Sequence, residues 1–167
     1  MGSDQVVVIM GVTGTGKSTV GRLLAEELGV PYAEADEFHS AANVEKMRSG
    51  TPLTDEDRWP WLDSIGAWAA SRAGLGGVVS CSALKRVYRD RLRAAAPGLV
   101  FVHLSGSREL ITERQSAREG HFMPASLIAS QFETLEELGA DESGVVVDVA
   151  PGPEAIAAEA VRGLREL

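Results

Sequence analysis

Near its start the chain reads Val6-Val7-Val8-Ile9-Met10-Gly11-Val12-Thr13-Gly14-Thr15-Gly16-Lys17-Ser18, and this stretch decides the fold. Its first five residues are apolar and mostly β-branched, which predicts a strand buried on both faces of a parallel sheet. After the glycines, apolar residues recur at helical spacing from Val20 to Leu28, and Gly29 stands where a helix commonly ends. The stretch therefore predicts a strand, a glycine-rich loop and a helix in direct succession.

The loop between this strand and this helix matches the pattern G-x-x-x-x-G-K-[ST] in full, in the structural context that the pattern needs. Its glycines let backbone N–H groups converge on phosphate oxygens, and the helix that follows offers its positive end. In such a P-loop, Lys17 reaches the β- and γ-phosphates and the Ser18 hydroxyl binds Mg²⁺. We predict that the phosphates of ATP are bound by Gly11, Val12, Thr13, Gly14, Thr15, Gly16, Lys17, Ser18 and Thr19.

Two other interpretations of the loop are less favoured. A plain glycine-rich turn would give no role to the pair Lys17-Ser18, which the phosphate-binding pattern explains. A dinucleotide-binding turn, G-x-G-x-x-G, would start at Gly14 and Gly16, but Thr19 stands at the third glycine position. Nucleotide phosphates are therefore the predicted ligand.

Length and composition set limits on the class of protein. The chain has 167 residues, which predicts one domain over 1–167, and its net charge of −8 argues against a nucleic-acid or membrane-surface binder. Cys81 is the only cysteine, so no disulfide within the chain is possible and a reducing cytoplasm is the expected location. We expect no leader or membrane-spanning stretch, because the early apolar run at residues 6–10 is too short to cross a bilayer.

Further apolar runs alternate with helical patterns along the rest of the chain, which predicts an α/β fold. A second strand is expected just before Asp36, and the later ones at Gly77–Cys81, Leu99–Leu104 and Val145–Val149. We therefore expect a five-stranded parallel sheet flanked by helices. The helices after the first are predicted at Trp61–Ala73, Leu84–Ala96, Glu109–Ala117, Ser126–Leu138 and Glu154–Leu167.

Polar residues follow the second predicted strand closely, from Asp36 to Arg58. Ligands of open α/β sheets bind at the carboxyl ends of the strands, so this stretch is the predicted acceptor side. A phosphoryl-transfer enzyme needs a group that orients or deprotonates the acceptor hydroxyl, and Asp36 is our candidate. For a single Asp in a loop, a helix N-cap or a surface carboxylate is the alternative.

Basic residues elsewhere are candidates for phosphate or acceptor contacts. Lys85 follows the third predicted strand. Arg114, Arg118 and His121 lie where a predicted helix gives way to a flexible segment, which is predicted to close over the nucleotide as a lid. A solvated helical face with ordinary ion pairs is the alternative for these arginines. We interpret Cys81 and the tryptophans as packing residues. The tryptophans are Trp59, Trp61 and Trp68.

The stretch from Asp36-Glu37-Phe38-His39 through Asn43 to Trp61-Leu62 resembles the gluconate kinase family. Residues 81–93, Gly120-His121-Phe122, residues 131–136 and residues 139–142 resemble the same family in the same order. The resemblance implies ATP-dependent phosphorylation of D-gluconate at its terminal hydroxyl, giving 6-phospho-D-gluconate. It also implies a fold similar to nucleoside monophosphate and shikimate kinases, with a small acceptor-binding helical region, a lid and often a homodimer.

The resemblance assigns roles to individual residues. Asp36 would act on the acceptor hydroxyl as a catalytic residue with Lys17 and Arg118, and Arg114 and Arg118 would lie on the nucleotide side. The implied gluconate-binding residues are Asp36, His39, Arg58, Lys85 and His121. This chain departs from the family at Ser40, where Pro is frequent, and at Glu34, where Asp is frequent; Glu34 can still carry negative charge toward the metal.

Two rival functions remain at this point. A kinase for another small hydroxy acid such as shikimate would share the P-loop and the fold, but would lack the long Asn43–Trp61 pattern. A nucleotide-dependent switch module would bind ATP or GTP without phosphorylating a metabolite. The chain has no Asn-Lys-x-Asp-like guanine signature, and its polar acceptor side favours an enzyme.

Overall fold

A computed structural model describes residues 5–51, 53–117 and 125–167, and its central feature is a sheet of five strands. All neighbouring strands pair in parallel, in the order β2-β3-β1-β4-β5, which confirms the predicted sheet. The carboxyl ends of the strands therefore meet at one edge. The strands are β1 (Val6–Met10), β2 (Tyr32–Glu34), β3 (Gly77–Ser80), β4 (Val100–Ser105) and β5 (Gly144–Asp148).

Helices cover both faces of this sheet, as expected for buried parallel strands. One apolar layer joins the sheet to α1 and α7, and a second joins it to α3 and α4. None of the helices in the described ranges is long and apolar enough to cross a membrane. The α-helices are α1 (Lys17–Leu28), α2 (Ala41–Arg48), α3 (Asp55–Ser71), α4 (Arg86–Ala95), α5 (Arg108–Ala117), α6 (Ala125–Thr134) and α7 (Pro153–Arg165).

Helix α3 begins at Asp55, six residues before the predicted start. A capping box explains the early start, because the Thr54 hydroxyl accepts from the Asp57 N–H at 3.2 Å and the Asp57 carboxylate accepts from the Thr54 N–H at 2.9 Å. Pro60 then lies inside the helix instead of before it. Thr54 and Asp57 are a sequence signal for a helix start, but Pro60 suggested a helix that begins only after the proline.

The short helix α2 was not predicted from apolar periodicity. Asn43 is its only buried residue, so no apolar stripe marks the helix in the sequence. Its start is fixed by Ser40, whose hydroxyl accepts from the Asn43 N–H at 3.1 Å. Together with the 3₁₀ helix at Ala35–Phe38, α2 forms the small helical region on the acceptor side.

A buried ion pair anchors the turn that follows β3. The side chains of Arg89 on α4 and Glu142 before β5 are 0% and 1% exposed, and Arg89 Nε lies 2.8 Å from Glu142 Oε2. Arg89 Nη1 also donates to the Ala83 carbonyl at 2.8 Å. Ala83 has a φ of 44°, a left-handed conformation that is unfavourable for alanine. Arg89 and Glu142 therefore hold a strained turn at the carboxyl edge of the sheet.

Candidate active site

The loop after β1 has the geometry of a phosphate cradle. Gly11 and Gly14 have φ values of 146° and 84°, which L side chains rarely adopt. A Cβ on Gly11 would also lie 2.7 Å from the Leu104 carbonyl oxygen, and one on Gly14 would lie 2.5 Å from Nε2 of Gln115. Both positions therefore favour glycine for conformation and for space; Gly11 is the first glycine of the sequence pattern, whereas the pattern leaves the residue at position 14 open.

Lys17 lies folded over its own loop. Its ammonium donates to the carbonyl oxygens of Gly11 at 2.9 Å and Val12 at 3.0 Å. Burial lowers the pKa of Lys17 to about 8, and the negative charges of Asp36 and Glu34 oppose part of that shift. When a phosphate binds, the Lys17 ammonium would leave these two neutral carbonyl oxygens and bind a charged phosphate oxygen. The loop carbonyls therefore hold the ammonium close to its predicted ligand.

A cavity of about 410 Å³ joins the P-loop to the acceptor side. Asp36, on the 3₁₀ helix after β2, lines the same cavity as Lys17 and is exposed. The structure therefore brings the two predicted catalytic residues of the described chain into one cavity. Its lining comprises Thr13, Gly14, Gly16, Lys17, Ser18, Thr19, Glu34, Ala35, Asp36, Trp61, Ser80, Cys81, Ser82 and Gln131.

Tyr32 connects the predicted metal ligand to a second acidic residue. Its hydroxyl donates to the Glu34 carboxylate and also interacts with the Ser18 hydroxyl. Burial and the bond to Glu34 raise the pKa of Tyr32 to about 12, so the hydroxyl remains a donor at neutral pH. Ser80 donates to the Lys17 carbonyl at 3.0 Å and thereby ties β3 to the start of α1. Two oxygen groups, from Ser18 and Glu34, thus face the cavity side by side.

His39 is oriented by two neighbours on the acceptor side. Its ring stacks on Trp61 with centroids 4.3 Å apart and planes 10° apart, and its Nδ1 lies 3.3 Å from the Asn43 amide nitrogen. Burial lowers the pKa of His39, an effect that Arg58 reinforces and Asp36 opposes. The histidine is therefore biased toward its neutral form, which can accept and donate hydrogen bonds to hydroxyl groups.

The two predicted acceptor-side cations meet at one tyrosine. Arg58 Nη1 donates to the Tyr88 hydroxyl at 3.2 Å, and Lys85 Nζ lies 5.5 Å from the centroid of the Tyr88 ring. Asp55 accepts from the same hydroxyl at 2.6 Å and lies within 3.8 Å of both cations. These four side chains form a cationic cluster, defined here as Asp55, Arg58, Lys85 and Tyr88.

Not every predicted site residue lines the central cavity: His39, Arg58, Lys85 and Arg114 are absent from its lining. Arg114, near the end of α5, donates from Nη2 to the Ala150 carbonyl at 3.0 Å, beside the carboxyl end of β5. Arg118 and His121 lie outside the described residues. Cys81 lines the cavity but is 2% exposed, and burial raises the pKa of its thiol to about 12, consistent with an unreactive packing residue.

Two residues of the site were missed as functional residues. Trp61, interpreted as packing, does lie in the core, but it also lines the cavity, stacks on His39 and donates to the Ala35 carbonyl at 2.7 Å. Gln131 on α6 contacts the P-loop across 118 positions of the chain. No local sequence signal marks either contact, because both depend on how distant segments pack.

Comparison with known proteins agrees with this geometry. The model of a family described as AAA domain matches residues 6–138. The chain is 48% identical over 158 residues to a gluconokinase of Gluconobacter oxydans strain 621H, covering 93% of this chain and 89% of that protein. It is 42% identical over 164 residues to the thermoresistant gluconokinase of Escherichia coli strain K12, covering 96% and 94%.

A solved structure supports the same relationship. The crystal structure of a gluconokinase from Sinorhizobium meliloti 1021 superposes with a TM-score of 0.91 at 50% sequence identity, covering 99% of this chain and 94% of that one. The match extends over the sheet, the P-loop and the acceptor side alike. The chain therefore belongs to the gluconokinase family.

Proposed function

We propose that this protein transfers the γ-phosphoryl group of ATP to the terminal hydroxyl of D-gluconate, giving 6-phospho-D-gluconate and ADP. The observation that carries the proposal is the single cavity in which Lys17 of the P-loop faces Asp36 of the acceptor side, in a chain of the gluconokinase family. A kinase for a different hydroxy acid is not favoured, because the similarity to two gluconokinases extends over 93% and 96% of this chain.

The reaction step follows from the positions of these groups. The oxygen of the terminal hydroxyl bonds to the γ-phosphorus while the bond from that phosphorus to the β–γ bridging oxygen breaks. Asp36 accepts the hydroxyl proton, and the bond electrons leave with ADP. Lys17 balances the negative charge on the transferred group and on the leaving oxygen, where it is needed most in the transition state.

Magnesium fits the oxygen groups of the cavity. Within the described ranges, no cluster of three or more His, Cys, Asp or Glu residues forms a metal cage. Mg²⁺ in kinases is instead held by nucleotide phosphates with one or two protein oxygens and water. The Ser18 hydroxyl and the Glu34 carboxylate, both near Tyr32, supply those oxygens. Bound Mg²⁺ would neutralise phosphate charge, and we propose Ser18 as its direct ligand.

The acceptor side suits a polyol that carries a carboxylate. We propose that Arg58 and Lys85 of the cationic cluster attract the gluconate carboxylate, while neutral His39 bonds to hydroxyl groups. We assign Arg114 and Arg118 to the nucleotide and His121 to gluconate, as the family resemblance implies. Asp55 partly neutralises the cluster in the absence of substrate, so binding would involve an exchange of carboxylate partners.

The proposed activity is tested with an acceptor panel. ADP release is measured with D-gluconate, shikimate, related sugar acids and no acceptor, at equal ATP and Mg²⁺ concentrations. We expect D-gluconate to give the highest kcat/KM, with a product whose phosphate is on the terminal oxygen. Turnover with shikimate but not gluconate would refute the assignment, and nucleotide binding without acceptor-stimulated turnover would favour the switch module.

Replacing Asp36 by Asn is expected to lower kcat by roughly 10²- to 10³-fold, because the amide cannot accept the hydroxyl proton. ATP affinity should change little, since the side chain keeps its size and belongs to the 3₁₀ helix after β2, not to the P-loop. Steady-state kinetics and equilibrium ATP binding measure the two effects. Glu37→Gln is the matched control at the neighbouring exposed residue and should retain normal turnover. A fully active Asp36→Asn variant would exclude Asp36 as the base.

Further proposals concern the state of the protein in the cell. We propose a homodimer, on the family resemblance, which light scattering after size-exclusion chromatography measures directly. We also propose a single folding unit over 1–167 and a cytoplasmic location. The location is supported by Cys81, which is a free, buried thiol and suits a reducing compartment.

A further inference from the structure

Gln131 connects helix α6 to the P-loop through one short hydrogen bond. Its Oε1 accepts from the Thr13 backbone N–H at 2.6 Å. Thr13 belongs to the loop whose N–H groups are expected to bind phosphates. One of these N–H groups therefore already donates to the side-chain oxygen of Gln131. Gln131 also lines the cavity that contains Lys17 and Asp36.

The chemistry of the bond fixes the orientation of the Gln131 amide. A backbone N–H can only donate, so the atom facing Thr13 must be the oxygen, and the NH₂ group must occupy the other branch of the carboxamide. Within the described part of the chain, Gln131 Nε2 has no hydrogen-bond partner. The amide therefore offers two neutral donors at a cavity whose ligand is anionic.

A second glutamine near the loop provides a contrast. Gln115 on α5 is 5% exposed, and its amide packs directly against Gly14, where it leaves no room for a Cβ. Gln115 therefore acts as a spacer beneath the loop. Gln131 is only half-buried and borders the cavity, which is the position of a group that contacts a ligand.

We propose that Gln131 binds the γ-phosphate of ATP, with Nε2 donating to a γ-phosphoryl oxygen while Oε1 remains anchored on the Thr13 N–H. This inference deepens the proposed function and rests on ATP binding in the P-loop. The anchor fixes the rotation of the amide before the nucleotide arrives, so less side-chain entropy is lost on binding. A neutral donor to a phosphate oxygen forms a charge-assisted bond, and ADP has no group at that position.

The test compares ATP with ADP in a Gln131→Glu variant. The carboxylate keeps the size of the side chain and the acceptor for Thr13, but replaces the NH₂ donor by a negative oxygen. We expect affinity for a non-hydrolysable ATP analogue with Mg²⁺ to fall about 10- to 100-fold, and affinity for ADP to stay within about twofold. Isothermal titration calorimetry measures both affinities without gluconate.

Two further variants keep the inference falsifiable. Glu133→Gln, an exposed change on the same helix, should leave both affinities unaltered. Gln131→Met, which removes donor and acceptor, should again weaken the ATP analogue more than ADP. Equal loss for both nucleotides would mean that Gln131 only braces the loop, and unchanged affinities in Gln131→Glu would likewise overturn the proposal. The affinity assay needs no acceptor, so its outcome is independent of the gluconate panel. The role of Gln131 and the phosphorylation of gluconate can therefore each be refuted while the other stands.

Discussion

Replacing Lys17 by Ala is expected to lower kcat/KM for ATP by at least about 10³-fold. The ammonium stands within 3.0 Å of two loop carbonyls and is the P-loop charge closest to the expected phosphate site. Its loss removes a positive charge that stabilises the developing negative charge on the transferred group. The gluconate-dependent release of ADP measures the effect.

The Lys17→Ala variant should remain folded. Burial lowers the pKa of Lys17, so its charged form is less favourable here than in water, and we expect the loss of the side chain to change Tm only slightly. Arg162→Ala on α7 is the matched control for the loss of one exposed positive charge, and we expect normal turnover there. Activity of Lys17→Ala within tenfold of the unaltered protein would contradict the role of the lysine.

Replacing Glu142 by Gln is expected to lower the free energy of unfolding by about 3–5 kcal/mol. Arg89 is fully buried, and the substitution would leave its charge without a carboxylate partner. Arg93, whose Nη1 lies 2.8 Å from the same carboxylate, would lose one of its two ion pairs and keep the one with Asp90. For a protein of this size we expect Tm to fall by about 10 °C, as measured by circular dichroism or calorimetry.

The effect of Glu142 should depend on pH. Burial alone would raise the pKa of Glu142, but hydrogen bonds from Arg89, the Gly139 N–H and Arg93 outweigh burial and hold it at about 2, below the ordinary 4.5. A depressed carboxyl pKa stabilises the folded state above pH 4.5, and that stabilisation is lost as pH falls toward 2. The stability difference between the two proteins should therefore shrink in acid.

Asp141→Asn is the control for the Glu142 substitution. Asp141 forms an ion pair with Arg86 at 2.6 Å, but its side chain is 68% exposed, so water can replace the lost partner. We expect almost no change in Tm. A similar loss of Tm for both substitutions would show that burial of the Arg89–Glu142 pair is not what stabilises the turn.

The sequence predicts the nucleotide-binding part of this protein well, because the residues of that part are neighbours in the chain. The strand, the loop and the first helix are continuous in the chain, and the pattern fixes the residue types at Gly11, Gly16, Lys17 and Ser18. The structure confirms these features.

The acceptor half is less accessible from sequence. Asp36 and Lys17 meet because β2 and β1 end at the same edge, which the topology predicts. The cationic cluster and the His39–Trp61 stack depend instead on side chains from separate helices. Helix α2 has no apolar stripe, and α3 has a proline in its second turn, so periodicity alone placed neither start correctly.

The position of β2 at one margin of the sheet has a consequence for the evolution of this fold. β2 is an edge strand, and the 3₁₀ helix and α2 follow it on the acceptor side. Replacement or lengthening of α2, whose one buried residue is Asn43, would leave in place the apolar layer that joins α3 and α4 to β1 and β4. A change of acceptor can therefore arise by exchange of one marginal segment, while the apparatus for cleaving the nucleotide is inherited unchanged.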